Sequence, residues 1–190
     1  PRLGGKEHYM KRLSVKTIAI IGVLACLAFV GMIFQVPSWM DPNLKFDFSE
    51  AFCLLGTFAF GPVAGVLIIA IKDLLHHFLI APEPIGHVAN FIAMSTFCLV
   101  SYAVFKPFSK NKNYLIWLGV ALLIGVVART LIMIPTNMVS IKFYGLDLKG
   151  MSQFVYFIAP IFNLILGTMS SIITIPLYAF YRNYIAAKEE

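Results

Sequence analysis

The sequence predicts an all-α integral membrane protein of six spans, and three observations carry that prediction. Hydrophobic residues make up 59% of the 190, only 13% are charged, and the mean hydropathy is +0.84. An ordinary soluble domain is nearer half apolar, with about a quarter of its residues charged. The apolar residues also gather into runs suited to a hydrocarbon layer about 30 Å thick, and Pro-containing or basic stretches separate the runs.

Six spans follow in order. The first runs over Val15–Phe34, before the polar, Pro-containing loop 35-QVPSWMDPNLK-45. The second, Phe46–Phe60, is short and breaks at Gly61-Pro62. At about 1.5 Å per residue it must be tilted or partly re-entrant. The third is Val63–Ile80, and 81-APEPIG-86 connects it tightly to the fourth, His87–Phe105. A basic loop, 106-KPFSKNKN-113, leads to the fifth, Tyr114–Met138. The loop 139-VSIKFYGLDLKGMS-152 precedes the sixth, Gln153–Tyr181. Residues 10–190 are expected to form one membrane domain. The opening 1-PRLGGKEHY-9 reads as an appended remnant ahead of Met10.

Orientation follows from the basic residues near the span ends. Lys11, Arg12 and Lys16 precede span one; Lys106, Lys110 and Lys112 join spans four and five; Arg182 and Lys188 follow span six. The other side carries Lys45, Lys142 and Lys149 against Asp41, Asp47, Glu50, Glu83 and Asp147. Both termini are therefore expected in the cytoplasm. The formal charge of +6 flanks apolar segments instead of forming a stripe, so no nucleic-acid partner is expected. Cys26, Cys53 and Cys98 all lie in apolar runs and read as small hydrophobes, without a disulfide or metal.

Ionisable residues inside a span are costly and mark either function or a pin holding the bundle. Lys72 and Asp73 lie about ten residues into span three, and Arg129 and Asn163 lie at a similar depth in spans five and six. Asn90 is a turn inside span four, and Asn137 is at the outer end of span five. These polar residues occupy the outer halves of the spans, which predicts a pocket open outward and closed by apolar packing below. A channel would need polar lining throughout.

Each residue also has a structural reading. Lys72 and Asp73 point about 100° apart on a helix, so they are not expected to pair. Lys72 could cap carbonyls freed at Gly61-Pro62, or pair with Asp47 or Glu50. Arg129 could be buried structurally beside the Pro135 kink, and Asn163 could satisfy backbone groups freed by Pro160; ligand contact is the favoured reading for both. His76, His77 and His87 lie near the outer face, where adjacent imidazoles diverge and make a metal site poor. In the outer loop, Phe34, Trp39, Phe46 and Phe48 surround Gln35 and Lys45. They form either an interfacial aromatic belt or a lid over a flat ligand. No nucleotide-binding loop, HExxH or GxSxG occurs, so no enzyme activity and no ATPase of the chain's own are expected. The sequence shows no convincing internal repeat of the kind common in secondary transporters.

The segment 44-LKFDFSEAFCLLGTFAFGPVAGVLIIAIKDLLHH-77, with 86-GHVANFIAMSTF-97, resembles the riboflavin S-components of energy-coupling factor transporters. The family pattern is L-K-[IL]-D-F-S-[DE], then G-P-x-A-G, I-K-[DN] and G-x-V-A-N-F, and the resemblance covers essentially the whole chain after Met10. It implies the S-component fold in a bacterial plasma membrane. It also implies high-affinity capture of riboflavin from outside, as a transported ligand and not a cofactor. A transmembrane coupling subunit and two cytoplasmic ATPases would then drive uptake. By the same resemblance, 162-FN-163 makes Asn163 a contact to the flavin's polar edge.

Gln35, Trp39, Lys45, Phe46, Asp47, Asn90, Asn137 and Arg129 complete the expected binding set, while Lys72, Asp73 and Glu50 are polar residues open to a structural role. Family members carry a Lys three residues after the span-six Asn, where this chain has Leu166. They also carry an Asn six residues before the span-five proline, where this chain has Arg129. The exchange could be a compensating swap, or could mark a changed ligand such as flavin mononucleotide, whose phosphate suits Arg. S-components pack an AxxxA motif of span one on the coupling subunit. Strict AxxxA is absent here, but Ala19, Gly22, Ala25, Cys26 and Ala28 supply small residues for either that docking face or internal packing. Another vitamin on the same fold, or a self-sufficient secondary transporter, remain the alternatives.

Overall fold

The computed structural model describes residues 14–185. Six α-helices carry the fold: α1 Val15–Ile33, α2 Ser49–Phe60, α3 Pro62–Leu79, α4 Pro84–Phe105, α5 Tyr114–Phe143 and α6 Ala159–Phe180. Five of them are long and apolar enough to cross a membrane. The exception is α2, whose 12 residues reach about 18 Å. It is nonetheless the middle of the bundle, packing against α1, α3, α4 and α6. Eight of its residues are buried, Glu50 among them, so this helix meets protein where a longer one would meet lipid.

Local chemistry sets the boundaries. Ser14 caps α1 by accepting from the Thr17 amide at 3.1 Å. Between α2 and α3 stands Gly61 at φ 99° and ψ 170°, a backbone state open to glycine, and Pro62 then starts α3 with its φ already helical. A π-helical turn, Phe154–Ile158, leads into α6 just before Pro160, which has no amide to offer the regular ladder.

The expected outer loop is more ordered than its polarity suggested. Val36–Pro37 (β1) and Lys45–Phe46 (β2) form a short antiparallel hairpin, with Val36 opposite Phe46. Its turn is held by Asp41, whose Oδ1 accepts the Asn43 amide at 2.8 Å, and by the Ser38 amide donating to the Leu44 carbonyl at 2.7 Å. The second span therefore begins at Ser49 rather than Phe46, because Lys45 and Phe46 belong to the hairpin. The fifth helix runs five residues beyond the expected Met138 to Phe143, shortening the following loop. The expected remnant at 1–9 lies outside the described residues, as do Met10, Lys11, Arg12 and Lys188.

Below the polar level, the core closes on itself. Leu54, Ile68, Met94, Phe97, Leu118 and Leu122 are at most 1% exposed. At the α4–α5 crossing Gly125 lets the helices approach closely: a Cβ there would strike Ser101 Oγ and come within 2.7 Å of the Phe97 ring. Small-residue contacts of this kind drive helix association where lipid offers no hydrophobic contrast. Gly125→Ala should therefore destabilise the fold by about 1–3 kcal/mol through overpacking, despite alanine's better helix propensity. Gly119→Ala, on the same helix with open space at its Cβ, should not, and thermal unfolding in detergent compares the two.

Candidate functional site

Two buried polar clusters occupy the hairpin end of the bundle, and the hairpin lies over one of them. The first joins α2, α5 and α6. Arg129 is 2% exposed and donates from Nη1 to Glu50 Oε2 at 2.5 Å and from Nε to Asn163 Oδ1 at 2.9 Å. Ser170 Oγ donates to the same Glu50 oxygen at 2.7 Å. Asn163 Nδ2 donates to the Ala159 carbonyl at 2.8 Å, one turn back on α6. Each Asn163 group keeps spare capacity, since the amide carries a second N–H and the carbonyl a second lone pair. Arg129 also reaches Met94 Sδ at 3.7 Å and lies 6.0 Å from the Phe97 ring centroid.

The hairpin supplies rings. Trp39 stacks on Phe46 with centroids 5.3 Å apart, and Phe46 meets Phe162 of α6 at 4.8 Å. Phe162 directly precedes Asn163, so the aromatic column and the polar cluster share one end of α6. Trp39 is 77% exposed and forms the outer face of that column. Asp47 accepts the Ser49 amide through Oδ1 at 2.7 Å, which fixes the step from hairpin to α2.

The second cluster joins α3, α4 and the start of the hairpin. Lys72, fully buried, donates to Asp73 Oδ1 at 2.8 Å and contacts Met32 Sδ at 3.6 Å. Asn90 Nδ2 donates to that same oxygen at 2.9 Å. One turn outward, the Gln35 amide lies 2.9 Å from His76 Nε2, and His76 Nδ1 lies 3.4 Å from His87 Nε2. His87 Nε2 is also 3.1 Å from the Ala81 carbonyl, which ties α4 to the α3–α4 turn.

Several expectations change. Lys72 and Asp73 are partners after all: the flexible lysine stem spans the angle between adjacent helix positions, which a fixed direction per residue ignores. Lys72 pairs with neither Asp47 nor Glu50, because Asp47 turns to its own backbone and Glu50 is taken by Arg129. Asn137 is buried on α5 with its Nδ2 unpartnered, apart from both clusters. Lys45 sits half-buried in β2. Among the small residues of α1, Ala25 and Ala28 are fully buried and cannot line an exposed docking face. Ala19, Gly22 and Cys26 lie on the open side of that helix. Among the described residues no group of three or more His, Cys, Asp or Glu is arranged to hold a metal ion.

Two contributors escaped the sequence reading. Ser170 stands seven residues after Asn163, so both share a face of α6, and that spacing was the available signal. The Phe162–Phe46 contact joins residues far apart in the chain, and no spacing rule announces it.

Comparison with known proteins agrees with this architecture. Residues 16–178 match the family model described as ECF transporter, substrate-specific component. The chain is 33% identical over 177 residues to the riboflavin transporter RibU of Staphylococcus aureus (strain TCH60), covering 90% of this chain and 92% of that protein. It is 35% identical over 133 residues to the riboflavin transporter FmnP of Bacillus subtilis (strain 168), covering 68% of each. A solved structure, described as the S component of a bacterial ECF transporter, superimposes with a TM-score of 0.76 at 32% identity. That match covers 90% of this chain and 97% of the solved one. The overall fold thus has its counterpart among solved proteins, and the chain belongs to the family of ECF transporter substrate-specific components.

Proposed function

We propose that this multi-pass plasma-membrane protein captures riboflavin from outside the cell and releases it inward only with the help of partner subunits. The observation that carries the reading is the column Trp39–Phe46–Phe162 set beside the buried side chains of Asn163 and Arg129. A flat ring system needs aromatic faces to lie against and a few fixed polar groups at its edge. The spare hydrogen-bonding capacity of Asn163 suits that edge, with Arg129 holding the amide in orientation. The names of the two relatives, both riboflavin transporters, support the same ligand.

In this reading α2 completes six crossings. Lys106, Lys110, Lys112 and Arg182 mark the cytoplasmic side, where both chain ends lie. Ala19, Gly22 and Cys26 on the open face of α1 dock a transmembrane coupling subunit, and two cytoplasmic ATPases supply the energy. Glu50 already neutralises Arg129, and Asp73 neutralises Lys72, so neither buried cation is left unpaired.

Three outcomes test the reading. The purified protein should be yellow, release a fluorescent flavin on denaturation and quench added riboflavin; a colourless preparation that leaves riboflavin fluorescence unchanged would sink it. Arg129→Ala should weaken riboflavin binding about tenfold to a hundredfold, the worth of hydrogen bonds to a charged group, and unchanged affinity in a titration would remove Arg129 from the site. For the partner requirement, proteoliposomes holding this chain alone should bind riboflavin without accumulating it. Accumulation should need the coupling subunit, the ATPases and ATP.

A further inference from the structure

The two buried carboxylates share an unusual arrangement. In Asp73 both donors, Lys72 Nζ and Asn90 Nδ2, converge on Oδ1, while Oδ2 is buried with no hydrogen-bond partner. In Glu50 both donors, Arg129 and Ser170, converge on Oε2, while Oε1 is likewise buried and unpartnered. Neutralising a cation occupies one oxygen of each acid. The other oxygen stays a strong acceptor, and leaving such a group unsatisfied under burial costs about 1–3 kcal/mol or more. A purely structural ion pair gains nothing from that arrangement.

The surroundings of the two acids differ. Glu50 belongs to the cluster of Asn163 and Arg129, next to Phe162 and the aromatic column. Asp73 belongs to the α3–α4 side, where the side chains outward of it are polar: Asn90 beside it, and His76, Gln35 and His87 one turn above. A ligand with a flat ring at one end and a hydroxylated chain at the other would place the ring at the first cluster and the chain at the second. We propose that Asp73 is a specificity-determining residue whose Oδ2 accepts hydrogen bonds from the hydroxyl groups of the ligand's polyol chain, with Lys72 and Asn90 fixing the carboxylate for that purpose. The proposal rests on the riboflavin reading above and deepens it.

A carboxylate acceptor reads a neutral hydroxyl, which carries a proton to donate. It rejects an analogue lacking the hydroxyl, because the oxygen is then left buried and bare. Lys72 holds the acid in place without occupying both oxygens. Asn90 sets its rotation from the neighbouring helix.

The test compares riboflavin with lumiflavin, which has the same ring system and a methyl group in place of the polyol chain. Fluorescence-quenching titrations of the detergent-purified protein give the affinity ratio. The wild-type chain should prefer riboflavin by at least about tenfold, and Asp73→Asn should lower that ratio by about tenfold or more, as expected for a hydrogen bond to a charged group. Since Asp73→Asn leaves Lys72 without its counter-ion, the double variant Lys72→Met, Asp73→Asn removes the pair together and avoids an unpaired buried cation. It should show the same fall. A wild-type protein that binds both flavins equally, or either variant binding with an unchanged ratio, would overturn the role of Asp73. An equal loss for both ligands in a folded variant would overturn it too. A wild-type protein that binds neither flavin would instead refute the riboflavin reading itself.

Discussion

The pairing of Arg129 with Glu50 is the constraint around which the hairpin end of this bundle is arranged. An isolated guanidinium or carboxylate in a membrane-spanning segment is expensive, and removing one member of a buried pair costs about 3–5 kcal/mol. The pair links the central helix α2 to α5, and Ser170 and Asn163 tie both members to α6. It therefore fixes three helices at one depth. It also explains how α2 can start with a buried acid four residues after the hairpin: the acid is received by a cation as soon as it enters the protein interior.

That pairing makes the short second helix workable. A helix about 18 Å long would leave its ends in hydrocarbon if it faced lipid. Here α1, α3, α4 and α6 surround it, and its N-terminal end is taken up by Asp47, Glu50 and the hairpin. Non-helical backbone at a membrane boundary is tolerated where protein covers it, and the hairpin meets that condition through Phe46 on Phe162 and Gln35 beside His76.

How much of this the sequence disclosed depends on the range of the interaction. Helix existence, the break at Gly61-Pro62 and the importance of Glu50, Lys72, Asp73, Arg129 and Asn163 were all readable, because charge in an apolar run is visible one residue at a time. The partners were not. Helix geometry argues against pairing Lys72 with Asp73, yet a four-carbon stem bends to its neighbour. Arg129 with Glu50 spans 79 residues, and nothing in the spacing of the chain points from one to the other. The hairpin was hidden for a similar reason. Two-residue strands have no periodicity to detect, and their order comes from turn chemistry at Asp41 and Asn43 together with a ring contact to a distant helix. Ala25 and Ala28 show the limit of small-residue patterns. Such a pattern marks close helix contact, but it does not say whether the neighbour belongs to the same chain.

The hairpin's two attachments also bear on how a ligand could enter. One is a ring contact, worth about 0.5–1.5 kcal/mol beyond area burial, and the other is a single polar contact of roughly 1 kcal/mol net. These are contacts of single side chains, whereas the bundle below is held by whole helix faces. The lower core is packed differently. It is closed by Leu54, Ile68, Met94, Phe97 and Leu122, whose separation would expose close-packed helix faces. A cheap opening on one side and an expensive one on the other make a one-sided binder.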